Sequence, residues 1–215
     1  MSATGYADRT YASPVPALFG RVMGLVALTV GFATLGVFIA RSWGGAAWFI
    51  AWLLALGCLV GLNVANSRGN TGLAMTLLFA FGLLIGVSVS ATVNYYSQTD
   101  PTAVRQAFGA TALFVGGLGA GGYAIRRDLS YLYRVAFWLL IALIVASIVL
   151  IFVRIDAAYT VYALVGLAVF GLYTVLDFNR LRRAGTDEAI PLAAGIFLDI
   201  LNIFLFFLQL FGRNN

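Results

Sequence analysis

The 215-residue sequence contains no histidine and no lysine, so its thirteen basic residues are all arginine. Without histidine it lacks the commonest zinc and haem ligand and the usual catalytic base at neutral pH. Without lysine it cannot form a retinal Schiff base, which excludes the obvious reading of a small seven-helix protein. A single cysteine, Cys58, rules out an intrachain disulfide and leaves the redox compartment open. Charge is scarce as well: 10% of residues are charged against 62% apolar, and the mean hydropathy is +0.96. A water-soluble domain needs more charge than that to cover its surface, so the composition is that of an integral membrane protein. The net charge of +5 fits a membrane-topology bias better than nucleic-acid binding, since no basic run is interleaved with aromatics.

What the sequence does contain is seven apolar stretches, each close to the ~20 residues needed to cross a ~30 Å hydrocarbon core. They fall near 17–40, 44–66, 71–93, 102–124, 132–153, 157–179 and 189–211. The breaks SWGG, NSRGN, SQTDP, RRDLS, VRID and RLRRAGTDEAIP carry loop chemistry, and Pro101 and Pro191 stand where helices would begin. The expected organisation is a polar N-terminal tail, 1–16, and one membrane domain, 17–213. The tail lacks the short apolar core and cleavage site of a signal peptide, so the first helix is expected to remain as an anchor.

The arginines indicate an orientation. With the N-terminus in the cytoplasm, that side collects Arg9, Arg21, Arg68, Arg126, Arg127, Arg134, Arg180, Arg182 and Arg183, and the other only Arg41, Arg105, Arg154 and Arg213. The excess favours a cytoplasmic N-terminus and, with seven spans, an outside C-terminus. The arginines at 180, 182 and 183 read as a topology anchor, with contact to anionic lipid as the alternative.

Several motifs have structural readings. GLGAGG, Gly117 to Gly122, matches a dinucleotide fingerprint but lies inside an apolar stretch with no strand before it. Its Gly117/Gly121 spacing recurs at Gly20/Gly24, Gly57/Gly61 and Gly82/Gly86, and reads as helix packing through small residues. Trp43, Trp48, Tyr95, Tyr96, Tyr131 and Tyr133 read as an interfacial aromatic belt. Asp100 and Asp128 read as caps of the fourth and fifth helices.

Asp177 and Asp199 are different, because both fall in apolar helices. Helical spacing puts Asp199 on one stripe with Asn202, Phe206 and Gln209, and Asp177 on another with Gly166, Phe170 and Tyr173. Lipid satisfies no polar group, so these stripes must face protein or water. A short loop joins the two helices, making them antiparallel neighbours, with Asp199 about two turns deeper than Asp177. One reading is that each aspartate is hydrogen-bonded separately and only holds helices together. The other is that they share a proton as a unit and, deprotonated, offer hard oxygens to a divalent cation such as calcium.

The stretches VFGLYTVLDFNR and IPLAAGIFLDILNIFLFFLQLFG resemble the C-terminal motifs of the Bax inhibitor-1 family, and the seven-span count, the DLS element at Asp128 and the length agree over 17–213. The resemblance implies an all-α membrane fold whose last helix is central and wrapped by two three-helix groups. It implies a pH-sensitive calcium leak, with Asp177 and Asp199 as the pH sensor and candidate calcium site. Asn202, Tyr173, Arg68 and Gln209 would be supporting polar residues. Two departures stand out. Gln209 replaces an arginine frequent before the final L-F-G, and the second helix has no acid and ends in Asn66, Ser67 and Arg68.

The expected setting is a bacterial inner membrane, with the lipid bilayer, protons and calcium as partners, no tightly bound cofactor and no nucleic acid. The alternative implied by the resemblance is a non-transporting regulator that binds a membrane AAA protease or another membrane protein, through the tail 1–16. An intramembrane aspartic protease would need a G-x-G-D context that neither aspartate has, so no enzymatic activity is expected.

Overall fold

The computed structural model describes residues 14–44, 46–152 and 156–212. Among these residues there are seven helices long and apolar enough to cross a membrane: α1 (Pro14–Ile39), α2 (Ala47–Ser67), α3 (Thr71–Thr99), α4 (Pro101–Ala124), α5 (Leu132–Phe152), α6 (Asp156–Leu181) and α7 (Ala189–Phe211). The expected stretches correspond one to one with these helices. The largest discrepancy is at α3, which runs six residues past the expected end at 93 to Thr99. Its last turns carry Tyr95, Tyr96, Ser97 and Gln98, whose polarity suggested a loop.

The ends follow local chemistry. Gly69 takes a positive φ of 74° just beyond α2, a conformation that ends a helix at little cost only for glycine. Asn70 then caps α3, its side chain accepting from Leu73 N at 3.1 Å. Asp100 caps α4 by accepting from Ala103 N at 3.0 Å, with Pro101 supplying the first helical residue.

The helices form two groups of three. In the first, α3 packs against both α1 and α2; in the second, α6 packs against both α4 and α5. The last helix, α7, lies between the groups and touches α1, α2, α3, α4 and α6. Its buried residues lie all around it, from Ile190 and Ala193 through Phe197 to Ile203 and Leu208, as a helix enclosed by others requires. By contrast, α5 packs on α6 and presents Phe137, Trp138, Ile144, Val145 and Ile148 outward, the surface expected of a helix facing lipid.

Glycine contacts correct the motif reading. Of the four G-x-x-x-G pairs, Gly82/Gly86 makes the close approach on both members: a Cβ on Gly82 would meet Thr29, and one on Gly86 the backbone of Ala33. Gly20, Gly24, Gly57, Gly117 and Gly121 have open space instead. In GLGAGG the packing residues are Gly119, against Phe178, and Gly122, against the Val175 backbone. Spacing alone did not reveal which face of α4 meets α6.

Candidate functional site

On α6 and α7, Asp177 and Asp199 are buried at 8% and 4% exposure and line one cavity of about 250 Å³. Tyr133, Phe170, Tyr173, Arg180 and Gly195 line it too. The Tyr133 hydroxyl donates to Asp177 Oδ1 at 2.7 Å. Asp177 Oδ2 lies over Gly195, where a Cβ would stand 2.5 Å from it, so a side chain at 195 would displace the carboxyl. Gly195 is one helical turn before Asp199. The Thr174 hydroxyl lies against the Asp199 carboxyl while donating to the Phe170 carbonyl at 2.9 Å. Asp199 Oδ2 is buried and has no hydrogen-bond partner.

The Asp177 carboxyl thus reaches the level of Gly195, one turn from Asp199 along α7, which shortens the expected two-turn offset. In every helix the Cα–Cβ bond leans toward the N-terminus. Because α6 and α7 run in opposite directions, the two side chains lean toward each other along the axis. Counting from the loop gives Cα depth and misses this convergence.

The stripes expected on these helices do face each other. Phe206 of α7 packs on Phe170 at 6.0 Å between ring centroids and on Tyr162 at 5.6 Å, and its ring occupies the space beside Gly166. Tyr173 lines the cavity with the acids. Asn202 turns back on its own helix, donating to the Leu198 carbonyl at 2.8 Å, and Gln209 donates to the Tyr159 carbonyl at 3.4 Å near the start of α6. Neither reaches the acids. Arg68 is exposed at the C-cap of α2 and does not line the cavity; the arginine that does is Arg180, whose guanidinium pairs with Glu188 at 2.5 Å.

Two residues read as structural have other partners. Tyr133, assigned to the aromatic belt, turns inward to Asp177, whereas Tyr95 and Tyr131 are exposed as a belt requires. Asp128 does not cap α5, which starts four residues later at Leu132. It accepts from Ser130 N at 2.8 Å and pairs with Arg183 at 2.7 Å. The hydrogen bonds from Ser130, followed by Arg183, hold its carboxyl below the usual 3.8, at about 2.

Sequence reasoning passed over Asn179, two residues beyond Asp177. It is 1% exposed, and its amide donates to the carbonyls of Ile125 at 2.8 Å, Arg127 at 3.1 Å and Gly122 at 3.4 Å. Its oxygen accepts from Leu129 N at 3.3 Å and from Arg183 at 2.6 Å. Asn179 therefore satisfies a length of non-helical backbone between α4 and α5 that lipid could not. Asn66 joins the same end, donating to the Asp187 carbonyl at 2.9 Å, so the three arginine-bearing loops are stitched together there.

The sequence model of a protein family described as "Inhibitor of apoptosis-promoting Bax1" matches residues 15–215. The chain belongs to the Bax inhibitor-1 family. It is similar to an uncharacterized membrane protein of Vibrio cholerae, 30% identical over 125 residues, which are 57% of this chain and 56% of that protein. An uncharacterized membrane protein of Streptococcus pyogenes is 27% identical over 136 residues, 60% of this chain and 58% of its own length. An uncharacterized protein of Deinococcus radiodurans is 30% identical over 119 residues, 51% of this chain and 52% of its own. The chain thus spans about half to three-fifths of the curated relatives it matches.

Proposed function

We propose that this Bax inhibitor-1 family member is a pH-sensitive calcium leak channel in which Asp177 and Asp199 act as one proton-controlled latch. The observation that carries this reading is the shared cavity: two buried carboxyls on adjacent antiparallel helices, one of them with an unpartnered oxygen. A buried carboxylate oxygen without a donor is a natural address for a proton or a cation. Protonated, Asp199 can donate to an acceptor such as the Thr174 hydroxyl oxygen or the neighbouring carboxylate, and the pair carries about one negative charge instead of two. Deprotonated, two like charges stand in a medium of low effective dielectric, where repulsion is several-fold stronger than in water. The helices then separate or recruit calcium. The charged and titratable groups facing the acids are Tyr133, Tyr173 and Arg180, and Arg180 is already engaged by Glu188.

On this reading acid and calcium compete for one site, and calcium binding releases a proton. The arginine-rich end nearest the acids is cytoplasmic in a bacterial inner membrane, which reporter fusions to both termini check. The deciding experiment is calcium flux into liposomes over a pH series for the wild type, Asp177→Ala, Asp199→Ala and the double variant. A latch that acts as a unit predicts that either single variant loses the pH response as fully as the double. Independent, additive effects sink the shared-proton mechanism. If the purified chain passes no calcium at any pH, the non-transporting regulator is the better reading.

A further inference from the structure

On the other faces of α6 and α7 lies a second, larger space. An apolar groove of about 790 Å³ runs between α1 and α4, walled by Phe19, Met23, Val115, Gly116, Tyr123 and Ile200. Ala112, Gly116 and Ala120 along it are exposed, so it opens sideways, toward the bilayer. At the arginine-rich end, Tyr123 and Ala124 also wall an open space of about 580 Å³, whose remaining lining is Arg126 and Arg182. The two spaces meet at a shared wall, Tyr123 and Ala124, with the apolar groove on one side and two cations on the other. Arg180 and Arg183 nearby are matched by Glu188 and Asp128, but among the described residues Arg126 and Arg182 have no carboxylate partner.

We propose that this slot binds one anionic glycerophospholipid, its phosphate between Arg126 and Arg182 and an acyl chain in the groove. The order of chemistries is that of an amphiphile lying in one leaflet: cations at headgroup depth, then an aromatic with a polar tip, then an apolar trough. The dimensions agree. From Thr111 to Ala124 the α4 wall is ~20 Å long at ~1.5 Å per residue, and half of a ~30 Å hydrocarbon core plus a headgroup is of that order. The trough also falls within the ~300–1,000 Å³ usual for small-molecule sites. The site does not rest on the calcium reading, but Phe178, Ile196 and Ile200 in its wall each directly follow Asp177, Gly195 and Asp199 in sequence, so the two sites share helices.

Native mass spectrometry of the purified chain, titrated with phosphatidylglycerol or phosphatidylcholine of identical acyl chains, tests the assignment. The expected result is one retained phosphatidylglycerol, preferred on the order of tenfold to thirtyfold, the scale of two basic residues at a membrane surface. The double variant Arg126→Gln/Arg182→Gln should bind the two lipids equally. Gly116→Leu, whose added Cβ meets nothing within 4 Å, should fill the trough and weaken both lipids alike; Ala120→Leu on the same exposed wall is the second filler. Equal retention of the two lipids by the wild type overturns the proposal. So does a preference that survives loss of both arginines. If a six-carbon-chain phosphatidylglycerol competes as well as the long-chain form, or neither filler weakens binding, the trough holds no acyl chain and the proposal also fails.

Discussion

Where α3 crosses α1, Gly82 lies against Thr29, Gly86 against the Ala33 backbone and Gly36 against the backbone of Leu83 and Val87. Two buried hydroxyls of this group bond within their own helices: Thr29 donates to the Leu25 carbonyl at 2.8 Å and Ser90 to the Val87 carbonyl at 2.7 Å. In the other group, α6 also meets α4 closely, at Gly122, but polar contacts cross between elements too. Asn179 holds the α4–α5 segment, Tyr133 of α5 reaches Asp177, and Arg183 reaches Asp128. Helices in lipid lack a hydrophobic force between them and associate through close packing and interhelical hydrogen bonds. The first group relies on packing, and the second adds hydrogen bonds. A glycine seam does not respond to a proton, whereas a carboxyl seam does. On the proposed reading, that is the physical reason a pH response would belong with the second group and not with the glycine seam of the first.

The largest expected effect attacks the glycine seam. Gly86→Leu drives a side chain into the Ala33 backbone, which cannot rotate away, so the cost should reach or exceed the ~1–3 kcal/mol typical of overpacking. Gly57→Leu, on the same group but with open space around it, should leave thermal stability in detergent nearly unchanged. If both variants melt alike, close packing does not hold the first group.

Next comes the polar seam. Asn179→Ala leaves the Ile125 and Arg127 carbonyls and the Leu129 N–H without their partner, and the unmet groups should cost about 2–3 kcal/mol. Asn179→Asp keeps the acceptor but loses the donors, so it should not rescue. A loss below ~0.5 kcal/mol would mean that water takes over these bonds and that the second group also rests on packing.

How much of this was legible in the sequence depends on what each signal encodes. Seven spans and both acid-bearing stripes could be read because hydrocarbon imposes length and because a polar residue in an apolar run has to face inward. The central position of α7 and its three-helix partners came from the resemblance, and the structure agrees. Tyr133, Gly195 and Arg180 were not legible as lining residues, since periodicity gives faces within a helix and not the rotation of one helix against another. Asn179 left a trace as the N of the D-F-N motif, but its role depends on backbone fifty residues away, which no local pattern encodes. Arg68 was chosen by analogy of position and Gln209 by its place on the Asp199 stripe; in the structure Arg68 stays at the C-cap of α2 and Gln209 bonds the Tyr159 carbonyl.

A finer test of the polar seam is Tyr133→Phe. It removes one hydrogen bond to a buried carboxyl and keeps the ring, so stability should fall by about 1–2 kcal/mol. The variant should still fold, because α5 also packs on α6 through apolar contacts, with Ala136 and Leu143 buried. If stability is unchanged and the pH profile of calcium flux is also that of the wild type, Tyr133 does nothing for the Asp177 carboxyl.

The smallest expected effect lies at the rim of the same group. Asp128 is fully exposed, and the bonds from Ser130 and Arg183 lower its carboxyl from 3.8 to about 2. A carboxyl depressed by folding contributes stability that is present above its unfolded value, near pH 4, and is lost as pH falls through the folded one, near pH 2. Melting temperatures of the wild type and Asp128→Asn should therefore differ slightly above about pH 4 and converge toward pH 2. Added salt should shrink the gap, because an exposed pair is screened. A gap that persists unchanged at pH 2 would show that asparagine at 128 perturbs the Ser130 turn itself, and the charge on Asp128 would then have no part in holding α6 to the α4–α5 segment.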